Sequence, residues 1–290
     1  LEFEYMDVNA DPKTDFYQYC NGQWLLDNPV PDDKSRYSTF NVVDDKINSR
    51  LRLILKDMEQ EEFEAGTSDQ ILRDFYISFM DTVHRNESGL KMLDETMLLE
   101  FANSIESSAG VTNVIGSHHK KGVSSAFSFY VEVDEKDNDH YVAYLSQGGI
   151  GLPNKSYYFD EDERSTKIRD AYKQHISNVF RISELELTDN ELNAIYSIEE
   201  ELARNSRSQE ENRDDNAKYN PHTAEEIAAK FPNFNWTKYF EKIGLTKTEK
   251  IIVQQPEFFE ALDQMIAKTP ASDWRLYLMW KVLNRFETAL

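Results

Sequence analysis

Histidine and cysteine are the side chains best suited to bind a metal ion or attack a substrate, and they are few in this chain. Its six histidines and one cysteine are His84, His118, His119, His140, His175, His222 and Cys20. No two histidines stand four residues apart, so the chain lacks the His-Glu-x-x-His pattern with which one helix binds zinc. His118 and His119 are adjacent and are expected to point apart, so they do not chelate one ion together. Cys20 has no base near it in the sequence.

Two other patterns carry only weak chemical signals. The segment 148–153 (GGIGLP) follows a predicted strand but precedes no helix, which argues against a dinucleotide site and favours a tight bend or close backbone approach. The acidic run 160–163 stands at a predicted helix start, where the helix dipole stabilises it, and this interpretation is favoured over a calcium site. Asp214 and Asp215 are interpreted in the same way. Residue spacing alone reveals no function.

The charge balance limits the classes of partner. The 290 residues include 32 Lys and Arg but 53 Asp and Glu, which gives a formal net charge of −21. Binders of nucleic acids or anionic membranes need basic patches, so we exclude both classes. No apolar run approaches the roughly 18 residues that a membrane span requires. The single cysteine excludes an internal disulfide.

The composition predicts a folded, mainly α-helical protein. Gly and Pro make up about 6% of the chain against roughly 12% on average, and this shortage of turn-forming residues argues for long helices. The mean hydropathy of −0.67 is low. However, 4 Trp, 15 Tyr and 17 Phe are too many for a disordered chain.

Apolar residues recur at helical spacing along most of the chain. They predict helices over residues 15–26, 40–58, 69–84, 90–105, 111–121, 160–180, 256–268 and 272–289. Two capping boxes, Thr188 with Glu191 and Thr223 with Glu226, predict further helix starts. Alternating apolar and polar residues from Phe127 onward predict one β-hairpin, with strands confined to residues 126–145.

Three separated stretches of sequence form a recognisable set. They are residues 15–25 (DFYQYCNGQWL) with 30–40 (VPDDKSRYSTF), residues 151–158 (GLPNKSYY), and residues 211–214 (ENRD) with Tyr219 and Asn220. In this order, and over nearly the whole chain, they resemble the neprilysin and endothelin-converting-enzyme family of zinc metallopeptidases. One departure is that Asn216 and Ala217 stand close to where the family has a Pro.

The resemblance implies the N-terminal portion of a zinc metalloendopeptidase that cleaves short peptides. In the family, the zinc ligands and the catalytic Glu lie in the C-terminal part of a longer chain, so zinc is expected outside this segment. The segment alone is expected to be inactive. The implied fold is mainly α, a multi-helix lid with one small β-hairpin inside a larger two-domain metallopeptidase. Residues 1–35 would be an arm packed on the catalytic domain, and residues 36–290 a lid that is incomplete at its C-terminus.

The resemblance also assigns one substrate-binding residue, Arg36. The family has an Arg in the matching segment that binds the free C-terminal carboxylate of short peptides, and a planar guanidinium pairs well with a carboxylate. A structural ion pair or a contact at the helix start is an equal alternative. Neprilysin carries an acid and a second Arg where this chain has Asn41 and Asp44, which leaves the subsite preference open. The expected partners are peptide substrates and the C-terminal catalytic domain.

Several aromatic residues of the matching segments are expected to pack rather than stack on substrate. These are Tyr17, Tyr19, Trp24, Tyr157 and Tyr158. Arg213 and Asn220 are expected to hold loop conformations of the lid.

The cysteine pattern resembles the bacterial branch of the family. Vertebrate members have a disulfide cysteine one position after Cys20, where this chain has Asn21. The chain also opens without an initiator Met, so we expect a removed targeting segment. The expected location is the bacterial cell envelope, periplasmic or lipid-anchored, with the cytoplasm as the alternative. Two other functions stay open: a stand-alone helical binding module or non-catalytic family member, and an interaction protein that uses its acidic face.

Overall fold

The computed structural model of the protein describes residues 2–31, 34, 36–91, 93, 98–245 and 249–287. Packing divides the chain into two compact units, Leu1–Thr82 and Val83–Leu290. The boundary predicted at residue 35 concerns packing on a catalytic domain, and it stays a prediction.

The first unit is helical. Its elements are a 3-10 turn, Phe3–Tyr5, and the helices α1 (Phe16–Asp27), α2 (Thr39–Met58) and α3 (Ser68–Met80). The Asp15 side chain begins α1 by accepting from the Gln18 N–H at 2.8 Å, which satisfies one of the free donors of the first turn. The helix predicted over 69–84 is wrong as one element, because α3 ends at Asp81, where ψ is 80°, and a new helix begins at Thr82.

No hydrophobic side chain is buried among the described residues of the first unit. Nine large apolar side chains of α2 and α3 have exposed fractions from 46% to 81%: Phe40, Val43, Ile47, Leu51, Ile54, Ile71, Leu72, Phe75 and Phe79. We call these nine residues the apolar stripe. Their spacing makes both helices amphipathic, yet their apolar side is exposed, so the first unit has no core of its own.

The second unit contains the remaining helices and a sheet. The helices are α4 (Thr82–Ser88, which begins at the last residue of the first unit), α5 (Leu98–Asn103), α6 (Ser108–Lys120), α7 (Ser156–Phe159), α8 (Glu163–Ile182), α9 (Asp189–Arg204), α10 (Asp215–Lys218), α11 (Ala224–Lys230), α12 (Trp236–Ile243), α13 (Pro256–Lys268) and α14 (Ala271–Phe286). A 3-10 turn covers Glu211–Arg213. Both predicted capping boxes are confirmed, at the starts of α9 and α11. Part of the helix predicted over 90–105 lies outside the described residues.

The core of the second unit forms around α14. Its Trp274, Tyr277 and Trp280 are completely buried, and the helix packs against α5, α6, α8 and α9. A second aromatic cluster surrounds Phe127, whose ring lies 5.3 Å from Tyr239 and 5.5 Å from Phe259, centroid to centroid. Buried aromatic side chains of this size contribute most of the apolar area that holds such a unit together.

The predicted hairpin is confirmed, but it belongs to a larger sheet. Strands β1 (Phe127–Asp134) and β2 (Asp137–Gln147) are antiparallel, β4 (Ile251–Val253) pairs parallel with β2, and β3 (Pro221–His222) closes the order β1-β2-β4-β3. The confinement of strands to residues 126–145 is therefore wrong. The two added strands have two and three residues, too few for a visible alternation, and all three residues of β4 are buried.

A buried carboxylate joins four parts of the second unit. Glu199 on α9 is fully buried and accepts hydrogen bonds from the hydroxyls of Tyr158 and Tyr172, both at 2.8 Å. It also accepts from the Trp280 indole N–H and from the Gly151 N–H, both at 3.1 Å. These contacts fix the 151–158 segment to α8, α9 and α14, because an unsatisfied buried carboxylate is costly.

The glycines of the 148–153 segment meet the predicted requirement for close backbone approach. Gly149 has a φ of 80°, in the region that favours glycine. A Cβ at Gly151 would overlap the Tyr172 hydroxyl, which is held in place by Glu199. The segment therefore needs glycine for space at position 151.

We predict that Gly151→Ala destabilises the protein by about 2 kcal/mol or more, because the added methyl displaces a hydroxyl of the Glu199 network. Urea unfolding followed by circular dichroism would measure the change. Gly110→Ala is the matched control, since a Cβ at this helical position meets only Ile105 at 3.4 Å. Equal effects of the two substitutions would contradict the prediction.

Candidate functional site

Arg36 lies two residues before the N-cap of α2 and is exposed. Within the described part of the chain, its guanidinium makes no hydrogen bond or ion pair. The next residues are fixed, since the Ser38 N–H and hydroxyl both donate to Asn41 Oδ1 at 2.9 Å. Among the described residues, an unpaired cation therefore stands two positions before the capped start of α2.

Lys34, two residues before Arg36, and Tyr37, directly after it, both contact the carboxylate of Asp45. Lys34 Nζ lies 3.1 Å from Asp45 Oδ1, and the Tyr37 hydroxyl donates to Asp45 Oδ2 at 2.8 Å. These two donors, the Tyr37 hydroxyl first, hold the pKa of Asp45 below its usual range. The Tyr37 ring is also stacked on Trp24 of α1, with centroids 6.4 Å apart. We call Lys34, Tyr37 and Asp45 the Asp45 clamp.

This arrangement suits the binding of an anion. A free guanidinium presents its planar set of donors to a carboxylate, and the first turn of the 20-residue α2 adds a favourable dipole. Asn41 uses its amide oxygen to cap α2, so that oxygen is not available to a ligand. Sequence reasoning identified Arg36 through the resemblance, but it did not identify Asp45, because nothing in the sequence marks that contact.

His118 is buried, His119 is half-buried, and both make contacts within the core. Contrary to the expectation that they point apart, both reach Ser125: His118 Nδ1 lies 2.7 Å from its hydroxyl and His119 Nε2 lies 2.9 Å from its carbonyl oxygen. His119 Nδ1 lies 2.7 Å from the Tyr239 hydroxyl, whose pKa is raised by burial. We therefore assign the Tyr239 hydroxyl as donor to Nδ1 and His119 Nε2–H as donor to the Ser125 carbonyl.

Burial lowers the pKa of His118 to about 3, helped by the neighbouring His119, and that of His119 to about 4. His118 Nε2 has no hydrogen-bond partner among the described residues, so an imidazolium there would bury an unpaired N–H. Both rings are neutral at ordinary pH.

The 151–158 segment contributes to the fold and borders one cleft. Tyr158 is buried against Glu199, and Tyr157 packs half-buried on the core. A cleft of about 400 Å³ lies beside the segment, but its Lys155 donates to the carbonyls of Arg204 at 2.7 Å and Ser206 at 3.0 Å. The Lys155 ammonium therefore binds carbonyl oxygens at the C-terminal end of α9. The sequence analysis did not single out Glu199, although a charged residue on the apolar side of an amphipathic helix indicates a buried polar contact.

The 211–220 region is held by polar contacts around Gln255 and Asp134. Asn212 accepts from the buried Gln255 side chain at 2.9 Å, and Gln255 also accepts from the Gln147 N–H at 2.9 Å. Tyr219 donates to Asp134 at 2.9 Å, and Lys250 forms an ion pair with the same carboxylate. The lysine and the tyrosine help hold the pKa of Asp134 at about 2.

These contacts agree with a structural role for most residues singled out in this region. The Asn220 side chain donates to the Ala217 carbonyl at 2.9 Å, as expected of a residue that shapes a loop. The acidic residues also act at helix starts: Asp162 caps α8 and Asp214 caps α10. In contrast, Tyr17 is 66% exposed and does not pack in this chain.

Across residues 2–245 and 249–287, apart from the short gaps in those ranges, no group of three or more His, Cys, Asp or Glu side chains is arranged to hold a metal ion. These described residues do not fit a zinc site. None of the described helices is both long enough and apolar enough to cross a membrane.

Comparison with known proteins defines the class. The profile of peptidase family M13 matches residues 12–290. An endothelin-converting enzyme homolog from Locusta migratoria is 27% identical, over 98% of this chain and 42% of that protein. Human endothelin-converting enzyme 1 is 25% identical, over 98% of this chain and 38% of that protein. The zinc metalloprotease Zmp1 of Mycobacterium tuberculosis, in complex with an inhibitor, shares the fold, with a TM-score of 0.86 and 24% identity over 100% of this chain and 44% of that one.

These matches define a metallopeptidase N-terminal portion. The chain belongs to peptidase family M13, so the resemblance to neprilysin and the endothelin-converting enzymes is confirmed. It spans about two fifths of the length of these relatives.

We predict that stability falls as pH is lowered from about 6.5 to about 4. The two histidines have pKa values near 6.5 when unfolded but about 3 and 4 when folded, so the unfolded state binds more protons in this window. Their contribution is complete above pH 6.5 and is lost on acidification. Urea unfolding at a series of pH values would measure the slope.

The variants for this test are His118→Gln and His140→Gln. His118→Gln is expected to lower the proton uptake on unfolding by about one. His140 is exposed, with its ring beside Asp137 at 2.9 Å, so its replacement should leave most of the slope unchanged. A slope that does not depend on His118 would show that other groups cause the acid sensitivity.

Proposed function

We propose that this chain is the N-terminal, lid-forming portion of a zinc metalloendopeptidase that cleaves short peptides. The observation that carries the proposal is the family match over residues 12–290, in a chain that spans only about two fifths of its relatives. Peptide hydrolysis and zinc binding then belong to the portion of the relatives that this chain does not match. The lid restricts access to the cavity, so that peptides enter and folded proteins do not.

The apolar stripe supports the presence of a packing partner. Covering an exposed apolar side chain contributes about 1 kcal/mol or more, so nine such residues are a large unused source of stability. Monomeric soluble proteins rarely expose contiguous apolar patches above a few hundred Å². The remaining portion of the peptidase is the partner that this proposal assigns to the stripe. A stand-alone binding module, the alternative, would leave the stripe exposed until a separate protein binds.

Arg36 is the residue we assign to substrate recognition. Its unpaired guanidinium favours this role over the alternative of a structural ion pair. It would bind the free carboxylate of a peptide, two residues beyond the bond that is cut. Cleavage would then release a C-terminal dipeptide, and the preference for short free-acid peptides would follow from one charge-assisted contact.

A location at the bacterial cell envelope is the remaining part of the proposal. It rests on the resemblance of residues 15–25 to the cysteine-poor branch of the family. Fractionation of the source cells, with peptidase activity as the marker, would test it.

We predict that Ile47→Asp in the full-length protein lowers the melting temperature and speeds hydrogen exchange across α2. The substitution places a charge in the stripe, which the partner portion would have to bury. Asn48→Asp is the matched control, because it adds the same charge at the neighbouring position on the same helix. In the separate chain 1–290, the two variants should behave alike. If the full-length protein tolerates both equally, the stripe has no intramolecular partner.

We predict that Arg36→Gln lowers kcat/KM of the full-length enzyme on short free-acid peptides about tenfold or more, because a charge-assisted bidentate pair contributes about 1.5–3 kcal/mol. The same peptides with an amidated C-terminus should lose little, since they never form the contact. Steady-state kinetics on both substrates would measure the effect. Equal losses would mean that Arg36 is structural.

A further inference from the structure

We propose that Asp45 is a positioning residue that orders the turn carrying Arg36, so that the guanidinium meets the substrate carboxylate already oriented. The proposal rests on the proposed role of Arg36. Asp45 does not contact Arg36. Asp45 acts through Lys34 and Tyr37, which lie on either side of Arg36 in the sequence. Both residues donate to the Asp45 carboxylate.

The geometry makes Asp45 the fixed point of the clamp. The residue lies on α2, seven positions beyond the N-cap Ser38, where helical hydrogen bonds hold its backbone. Lys34, which precedes Arg36, places its Nζ 3.1 Å from Asp45 Oδ1. Tyr37, which follows Arg36, donates its hydroxyl to Asp45 Oδ2 at 2.8 Å. Lys34 and Tyr37 lie three positions apart, and anchoring both to Asp45 restricts the conformations open to Arg36 between them.

Tyr37 is fixed by two further contacts. Its ring is stacked on Trp24, at an interplanar angle of 16°, and the Lys34 ammonium lies 5.0 Å from its centroid. The hydroxyl and the ring therefore have separate partners, and the hydroxyl alone selects Asp45. A guanidinium on such a turn loses less conformational freedom when it binds a ligand, which is the usual benefit of preorganisation.

The side chains of the Asp45 clamp are partly exposed, and this limits how much their loss can change stability and substrate binding. The side chains of Lys34 and Asp45 are 28% and 50% exposed. An exposed pair of this kind adds little to global stability, so its loss should not unfold α2. The expected consequence is a freer turn and weaker binding of the substrate carboxylate. Asp45 should therefore affect KM and leave kcat nearly unchanged.

The experiment uses the full-length enzyme and a short peptide in free-acid and amidated forms. Asp45→Asn should raise KM for the free acid about two- to fivefold, the range expected for loss of an exposed ion pair. The amidated peptide should show no change. Asp45→Glu, which keeps the carboxylate, should recover most of the loss. Tyr37→Phe, which keeps the ring on Trp24, should reproduce part of it.

Asp44→Asn is the matched control for charge. It removes the same charge from the neighbouring residue of α2, which is exposed. It should change KM for the free acid less than Asp45→Asn does. Equal effects of the two variants would mean that the local field, and not the clamp, sets the affinity, and this would overturn the proposal.

A double variant separates the clamp from the role of Arg36. If Asp45 acts only through Arg36, Arg36→Gln with Asp45→Asn should be no worse than Arg36→Gln alone. Additive losses would overturn the clamp while leaving the recognition role of Arg36 intact. If Arg36→Gln itself shows no preference between free-acid and amidated peptides, both the recognition role and the clamp are overturned.

Discussion

The buried carboxylate of Glu199 is the interaction around which the second unit is organised. It lies on α9 and gathers donors from the 151–158 segment, from α8 and from α14. Each of these buried donors finds its acceptor in the carboxylate, and together they satisfy the hydrogen-bonding capacity of the carboxylate. These contacts explain the need for Gly151 and Tyr158 in this segment. Gly151 leaves room for the Tyr172 hydroxyl, and the hydroxyls of Tyr158 and Tyr172 both donate to Glu199 Oε2.

The first unit follows a different principle. Its helices have sound N-terminal caps and amphipathic spacing, yet none of their described apolar side chains is buried. In the second unit, by contrast, α14 and the cluster around Phe127 form a core of large aromatic residues. The contrast supports the proposal that the first unit packs against the remaining portion of the peptidase.

The candidate site combines an ordered backbone with a free side chain. Ser38 and Asn41 fix the start of α2, and the Asp45 clamp holds the residues on both sides of Arg36. The Arg36 guanidinium has no partner among the described residues, which supports its proposed role in substrate binding. The histidines show the opposite arrangement, since three of their four ring nitrogens contact Ser125 or Tyr239 and desolvation lowers their pKa values.

The sequence by itself determined most of the helices, the hairpin and the family. Amphipathic spacing and caps such as Thr188 with Glu191 act within one turn, so they can be read locally. The family followed from three short segments in a fixed order. Only the tertiary structure decided the features that join distant positions: the parallel pairing of β4 with β2, the approach of Gly151 to Tyr172, and the contacts of Glu199. It also placed both histidines on Ser125, because the chain turns back after α6. Such contacts depend on which residues the fold brings together, and spacing along the chain does not carry that information.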